Sequence, residues 1–186
     1  MRWVFFAISV WFLIVAQTTF GSILRLDSSA AGPIGPDLLA PLAVFVALHA
    51  RRQTDVLIAV WAMGLAIDLL TLGGPGSSSV VGPMALAYVL GAKLVFSVRD
   101  AIFRERILTK ALLTGCFCLV AHCLWVTLQS VMAFGHTSWG QYGRMILQSV
   151  GIASYTAVLA PGMIWILHRG RNWLIQVRAS SHRDSR

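Results

Sequence analysis

The organisation of this chain is clearest in residues 63–91, which read MGLAIDLLTLGGPGSSSVVGPMALAYVLG. Two strongly apolar runs flank a break of glycine, proline and serine, GGPGSSS, that cannot continue a helix. The break lacks the G-K-[ST] ending of a phosphate-binding loop, so it does not predict nucleotide binding. We interpret this stretch as two apolar helices joined by a turn.

The rest of the chain shares this apolar character. Of its 186 residues, 57% are hydrophobic and only 12% are charged, whereas a soluble globular domain averages about 25% charged residues. There are too few charges to cover a surface exposed to water, and disorder would require low hydrophobicity with high charge. The composition therefore predicts a polytopic integral membrane protein and disfavours the soluble enzyme classes.

Six apolar stretches are candidates for membrane-spanning helices, because a bilayer core about 30 Å thick requires roughly 20 apolar residues. The second stretch is short, and the first has the alternative of being a signal peptide, although its apolar run is long for one. The expected fold class is all-α, with one transmembrane helical domain over residues 1–170 and a basic cytoplasmic tail over residues 171–186. The six stretches are residues 3–24, 37–50, 55–72, 80–98, 109–134 and 145–168.

The basic residues predict the orientation of these helices. If the N-terminus is inside, twelve Lys and Arg side chains fall on the inner side and only Arg25 and Arg144 on the outer side, with Lys93 inside the fourth stretch. Since Lys and Arg accumulate on the cytoplasmic side, both termini are expected in the cytoplasm. The same bias explains the formal net charge of +8 without a nucleic-acid partner, and the basic tail is suited to the anionic inner leaflet.

Three aspartates near the ends of the apolar stretches are singled out. Asp37 is expected to cap the second helix, with Pro41 in its first turn where a missing N–H costs little, and Asp55 is expected to cap the third helix. Asp68, within GLAIDLL, is the main ionisable group inside the membrane. It is interpreted either as a ligand, ion or helix-pairing contact or as a buried structural hydrogen bond near the outer interface.

The fifth stretch carries a set of cysteines with one histidine, but their spacing does not predict a metal site. Cys116 and Cys123 lie on one helix face and Cys118 and His122 on another, so the four do not converge as a tetrahedral site or a disulfide. His122 is instead expected to form an interhelical hydrogen bond. Pro161 is expected to kink the last helix. Since no catalytic motif is present, no catalytic residue, cofactor or metal is predicted.

Three segments together resemble the MreD family of the bacterial rod-shape machinery. They are PDLLAPLAVFVALHARR at residues 36–52, residues 63–91 quoted above, and SYTAVLAPGMIWIL at residues 154–167. Tyr155 or Ser154 stands where that family has a more typical Asn. The resemblance implies a non-enzymatic scaffold of the bacterial cytoplasmic (inner) membrane that binds MreC. It also implies proximity to a SEDS polymerase and a class B penicillin-binding protein, with an indirect link to MreB filaments.

The MreD family also resembles, in its helix arrangement, the substrate-binding subunits of energy-coupling-factor transporters, which leaves a second hypothesis open. Such a subunit would enclose a small ligand near the outer face, with Asp68, Trp139 and Tyr142 as contacts. The sequence favours the scaffold, because the outer loops are short and polar pocket residues are sparse. Across both hypotheses, the expected partner or ligand contacts are Asp37, Gly64, Asp68, Trp139, Tyr155 and Pro161.

Overall fold

The computed structural model describes residues 3–21, 23–50, 52–71, 81–99, 107–132 and 139–169. Within these ranges the chain forms six helices and one antiparallel two-stranded hairpin. The predicted glycine-rich turn at residues 73–79, the charged residues 100–106 and the basic tail at residues 171–186 lie outside the described residues. The elements are α1 (Trp3–Phe20), β1 (Leu26–Ser28), β2 (Gly32–Ile34), α2 (Leu39–His49), α3 (Gln53–Thr71), α4 (Pro83–Val98), α5 (Ile107–Met132) and α6 (Trp139–Arg169).

Four of the six helices are long and apolar enough to cross a membrane: α1, α3, α5 and α6. The other two are shorter. Helix α2 has 11 residues and extends about 16 Å at 1.5 Å per residue, roughly half of a bilayer core. Helix α4 has 16 residues and extends about 24 Å. The all-helical fold class is therefore confirmed, whereas the expected spanning length is found in four helices only.

The shortest helix forms the centre of the bundle. Every residue from 39 to 48 of α2 is buried, and α2 contacts α1, α3, α4, α5 and α6. Its sequence LAPLAVFVALH has no polar face, and a helix that is apolar on all sides is stable in a folded protein only when it is surrounded. The longer helices therefore enclose α2, and groups at its ends are held away from solvent.

Two predicted boundaries differ from the observed ones. Helix α6 begins at Trp139, so six of the ten residues of the polar segment expected as a loop at residues 135–144 are helical. No proline interrupts residues 139–144, and their side chains are mostly exposed. Asp55 lies in the first turn of α3, which begins at Gln53. The prediction that Asp55 is the cap residue was therefore wrong, because Asp55 is the third residue of the helix and does not precede it. Its negative charge still interacts favourably with the positive end of the helix dipole.

The turn region predicted at residues 27–36 contains a short hairpin. Leu26 pairs with Ile34 across the two strands, and Gly32 has a φ of 81°, a conformation that glycine adopts without steric strain. The side chain of Ile34 packs against Gly151 of α6. The hairpin thereby closes one end of the bundle immediately before α2 begins.

Small residues allow α5 to approach both of its neighbours closely. A Cβ atom on Gly115 would lie 2.9 Å from the Cβ atom of Ala157 in α6, and Gly91 of α4 faces the ring of Phe117. Helix α6 continues through Pro161, which has no N–H to donate to the carbonyl one turn earlier. The small residues at these positions therefore permit close packing of α5 against α4 and α6.

Candidate functional site

The N-terminus of α2 is capped by a buried carboxylate. Asp37 is only 4% exposed, and its Oδ1 accepts hydrogen bonds from the N–H groups of Leu39 at 3.0 Å and Ala40 at 3.3 Å. The next residue, Pro41, has no N–H. The first N–H groups of a helix have no partner within the helix. In α2, Asp37 accepts from the first two of them, and the third residue, Pro41, has no N–H that needs an acceptor. The prediction that Asp37 caps α2 is therefore confirmed.

Four side chains from three other helices surround the same carboxylate. The hydroxyl of Tyr88 in α4 donates a hydrogen bond to Oδ2 of Asp37, and Nε2 of His122 in α5 lies 3.4 Å from the same oxygen. The N–H of Asp37 donates to Oγ1 of Thr156 in α6 at 3.0 Å, and Sγ of Cys118 lies 3.9 Å from that Oγ1. We call Asp37, Tyr88, Cys118, His122 and Thr156 the Asp37 centre.

The Asp37 centre is almost completely closed. Tyr88 and Cys118 are fully buried and Thr156 is 1% exposed, while the side chain of His122 keeps 12% of its exposure. The Tyr88 ring packs edge-on against Phe117, with the ring centroids 5.1 Å apart. Apolar walls of this kind lower the local dielectric, so that contacts between polar groups strengthen and any unpaired polar group becomes costly.

The centre brings together three kinds of metal-ligand atom. An oxygen of Asp37, the sulfur of Cys118 and a ring nitrogen of His122 all lie within 4.8 Å of one another. The sequence was interpreted from α5 alone, whose exposed Cys116 and buried Cys118 face different directions. The third ligand atom belongs to Asp37 at the start of α2, about 80 residues earlier in the chain, so the spacing of residues within α5 could not predict it.

A second buried carboxylate caps a second helix. Asp68 of α3 is 3% exposed, and its Oδ2 accepts from the N–H groups of Gly82 at 2.9 Å, Met84 at 3.1 Å and Ala85 at 3.1 Å. Pro83, between them, has no N–H. Asp68 therefore satisfies the start of α4 from a neighbouring helix, and of the interpretations left open for it, the geometry is that of a buried structural hydrogen bond, which here joins α3 to α4.

The remaining predicted contacts do not assemble into one site. Trp139 is 88% exposed in the first turn of α6. The hydroxyl of Tyr142 lies 3.2 Å from Oγ1 of Thr127, far along the chain from Asp68 and its α4 partners. Tyr155 is half-buried and is not part of the Asp37 centre, whereas the adjacent Thr156 is. Gly64 contacts α4, and Pro161 lies inside α6 without a described polar partner.

Sequence reasoning missed Tyr88 and Thr156. Tyr88 is a single polar residue in an otherwise apolar helical segment, and that isolation was the available signal, whereas Thr156 follows Ser154 and Tyr155 and the sequence does not distinguish it from them. An isolated hydroxyl in such a segment is expected to find a buried partner, although the pattern does not say which helix provides it.

A surface cavity lies between the hairpin and α6. It has a volume of about 380 Å³, and neither Asp37, Asp68 nor Trp139 lines it. The side chain of Gln148 crosses its edge and donates to the carbonyl of Pro33 at 2.6 Å. The lining residues are Ala31, Gly32, Pro33, Gln141, Arg144, Met145 and Gln148.

No protein-family model, curated protein or solved structure matches this chain. Its class therefore follows from the sequence and the geometry: a helical protein with four helices of membrane-spanning length and two buried carboxylates that join its helices.

Proposed function

We propose that this protein is a non-enzymatic scaffold of the bacterial cytoplasmic membrane, of the MreD type, that binds MreC. Through MreC it helps to position the SEDS polymerase and the class B penicillin-binding protein and is linked indirectly to MreB. The proposal is supported by the three segments that resemble MreD and by the order of the helices in the chain. The capping contact of Asp37 falls within the first of those segments, and that of Asp68 within the second.

The observation that carries the proposal is the use of the two buried carboxylates. The Asp37 carboxylate accepts hydrogen bonds from α2 amides and from the Tyr88 hydroxyl, and the Asp68 carboxylate accepts them from the amides that begin α4. A small-molecule pocket needs a few polar groups directed into an open cavity. Here the buried acids are directed into helix contacts instead, which favours a rigid body whose outer surface does the binding.

That outer surface is broad and apolar. Only 11% of the residues of α1 are buried, and large side chains such as those of Trp11 and Phe12 are about two-thirds exposed. In a membrane such side chains face lipid tails or the helix of a partner. This arrangement suits a protein that associates laterally with another membrane protein.

The proposed topology places six helices in the membrane with both termini in the cytoplasm. The short helices α2 and α4 are accommodated because longer helices surround α2 and pack on both sides of α4. The test is single-cysteine labelling in a background from which the three natural cysteines have been removed. We expect Ser77→Cys to react with a membrane-impermeant maleimide in intact spheroplasts and Arg183→Cys to react only after lysis; the opposite pattern contradicts the topology.

The partner is tested by affinity capture from native membranes. We expect MreC to be recovered with the tagged protein and not with an unrelated multi-pass membrane protein carrying the same tag. Capture of intact protein without MreC would contradict the proposal. Reintroduction of the chain into rod-shaped cells that lack their own MreD provides the functional readout, which is restored cell width.

The surface cavity of about 380 Å³ keeps the transporter-type alternative testable. Its lining includes Arg144, a cation that would suit an anionic ligand. A small molecule that remains bound through purification, and is lost in Arg144→Ala, would favour a ligand-binding subunit over the scaffold.

A further inference from the structure

The Asp37 centre has a feature that its hydrogen bonds do not account for. Nε2 of His122 is buried, yet among the residues that the structure describes it has no hydrogen-bond partner. It lies 3.4 Å from Oδ2 of Asp37, which already accepts from Tyr88. A buried polar atom without a well-formed hydrogen bond carries a free-energy penalty. A cation placed between the nitrogen and the carboxylate would remove it.

One of the three separations between ligand atoms already matches a tetrahedral ion. Zinc binds oxygen and nitrogen at about 2.0–2.1 Å and thiolate sulfur at about 2.3 Å, so its ligand atoms lie about 3.3–3.6 Å apart. The separation of 3.4 Å between Asp37 and His122 falls in this range. The sulfur of Cys118 lies within 4.8 Å of both, so it would have to approach them by up to about 1 Å to reach these tetrahedral separations.

Charge balance favours a divalent cation over a monovalent one. With Cys118 as thiolate, Asp37 as carboxylate and His122 neutral, the three ligands carry two negative charges. A divalent ion makes the cluster neutral, and neutrality matters because an uncompensated charge in an apolar interior is strongly disfavoured. The thiol proton of Cys118 leaves to solvent when the ion binds.

The ligand types select the ion. A set of one carboxylate, one imidazole and one thiolate suits zinc and similar transition metals, whereas magnesium and calcium prefer oxygen ligands. The surrounding groups also support the ligands. The α2 amides hold Asp37, and Oγ1 of Thr156 accepts from the Asp37 N–H and from the Cys118 thiol. Once Cys118 is a thiolate, the Thr156 hydroxyl can donate to its sulfur instead. Such outer contacts orient metal ligands.

We propose that Asp37, Cys118 and His122 form a buried binding site for one zinc-type divalent ion. The ion joins the start of α2 to the middle of α5. Tyr88 remains a hydrogen-bond donor to the carboxylate, and a water molecule completes the coordination. The site is independent of the proposed partner, since it lies inside the bundle.

The test uses Co²⁺ as a spectroscopic probe, with the full-length protein in detergent and a purification tag that contains no histidine. We expect one equivalent of Co²⁺ to produce visible bands of a tetrahedral ion and a near-ultraviolet band from thiolate to metal. Excess Zn²⁺ should abolish both sets of bands. Zn²⁺ should also raise the melting temperature of the wild-type protein in a concentration-dependent way.

The natural cysteines provide matched controls. Cys118→Ser should remove the thiolate band, while Cys116→Ser and Cys123→Ser, on the same helix, should retain it in full. Circular dichroism confirms that each variant is folded, and Cys118→Ala replaces Cys118→Ser if the serine variant is not. Absence of the band in the folded wild-type protein, or its persistence in the folded Cys118 variant, overturns the proposal.

Discussion

Gly64 and Asp68 lie one turn apart on α3, and both meet the first turn of α4. The Asp68 carboxylate accepts from the N–H groups of Met84 and Ala85. At Gly64, a Cβ atom would lie 2.6 Å from the Cα atom of Ala85. The missing side chain therefore lets α4 begin close enough for the carboxylate to reach its free amides. The four-residue spacing in GLAID has a direct structural reason.

Gly64→Ala should destabilise the protein by about 1–3 kcal/mol, the usual range for overpacking. The added methyl group would meet backbone atoms of α4, which cannot move aside as a flexible side chain can. Thermal unfolding in detergent measures the effect. The control is Gly162→Ala in α6, where a Cβ atom would meet nothing within 4 Å; equal melting temperatures for the two variants would contradict this account.

Asp68→Ala should lower the free energy of unfolding by about 3 kcal/mol, because it leaves buried amides at the start of α4 without their charged acceptor. Asp68→Asn, which keeps one oxygen acceptor, should lose less. Asp27→Asn is the control: the side chain of Asp27 is 85% exposed and its described ion-pair partner is Arg25, so the change should be within about 0.5 kcal/mol.

The same Asp68 variants also separate a structural role from a partner contact. If Asp68 acts only through α4, MreC capture should fall in parallel with the folded fraction. Loss of capture by Asp68→Ala with an unchanged melting temperature would instead assign Asp68 to the partner surface.

Tyr88→Phe should destabilise the protein by about 1–3 kcal/mol, since it removes a donor from the buried Asp37 carboxylate while the ring contact with Phe117 remains. Tyr142→Phe removes a hydroxyl whose described partner, Thr127, is exposed. It should therefore have little effect. Chemical or thermal unfolding of both variants gives the comparison, and similar losses in the two would argue against a special role for the buried pair.

Thr156→Val should be destabilising although its shape is conserved, because the N–H of Asp37 loses its acceptor at the start of α2. Thr156→Ser retains the hydroxyl and should keep most of the stability. The expected order of melting temperatures is wild type, then serine, then valine. A valine variant as stable as the serine variant would show that the hydroxyl is dispensable.

Much of the fold was predictable because it depends on local chemistry. Apolar runs of sufficient length form helices, and the glycine- and proline-rich breaks separate them. Asp37 was recognised as a cap because a cap acts within a few residues of its own position. The boundaries at Trp139 and Gln53 were less predictable, since polar residues tolerate either helix or loop at an exposed end.

The composition and pattern of this sequence by themselves determined a chain of apolar helices, since 57% of its residues are hydrophobic, and four of those helices are long and apolar enough to cross a membrane. They also determined that an aspartate, Asp37, caps the start of α2. Only the tertiary structure decided that the Asp68 carboxylate caps α4 rather than facing a ligand. It also decided that Asp37 meets Tyr88, Cys118, His122 and Thr156. The reason is that helical periodicity specifies which residues share a face of one helix, while the packing of helices distant in sequence determines what each face meets.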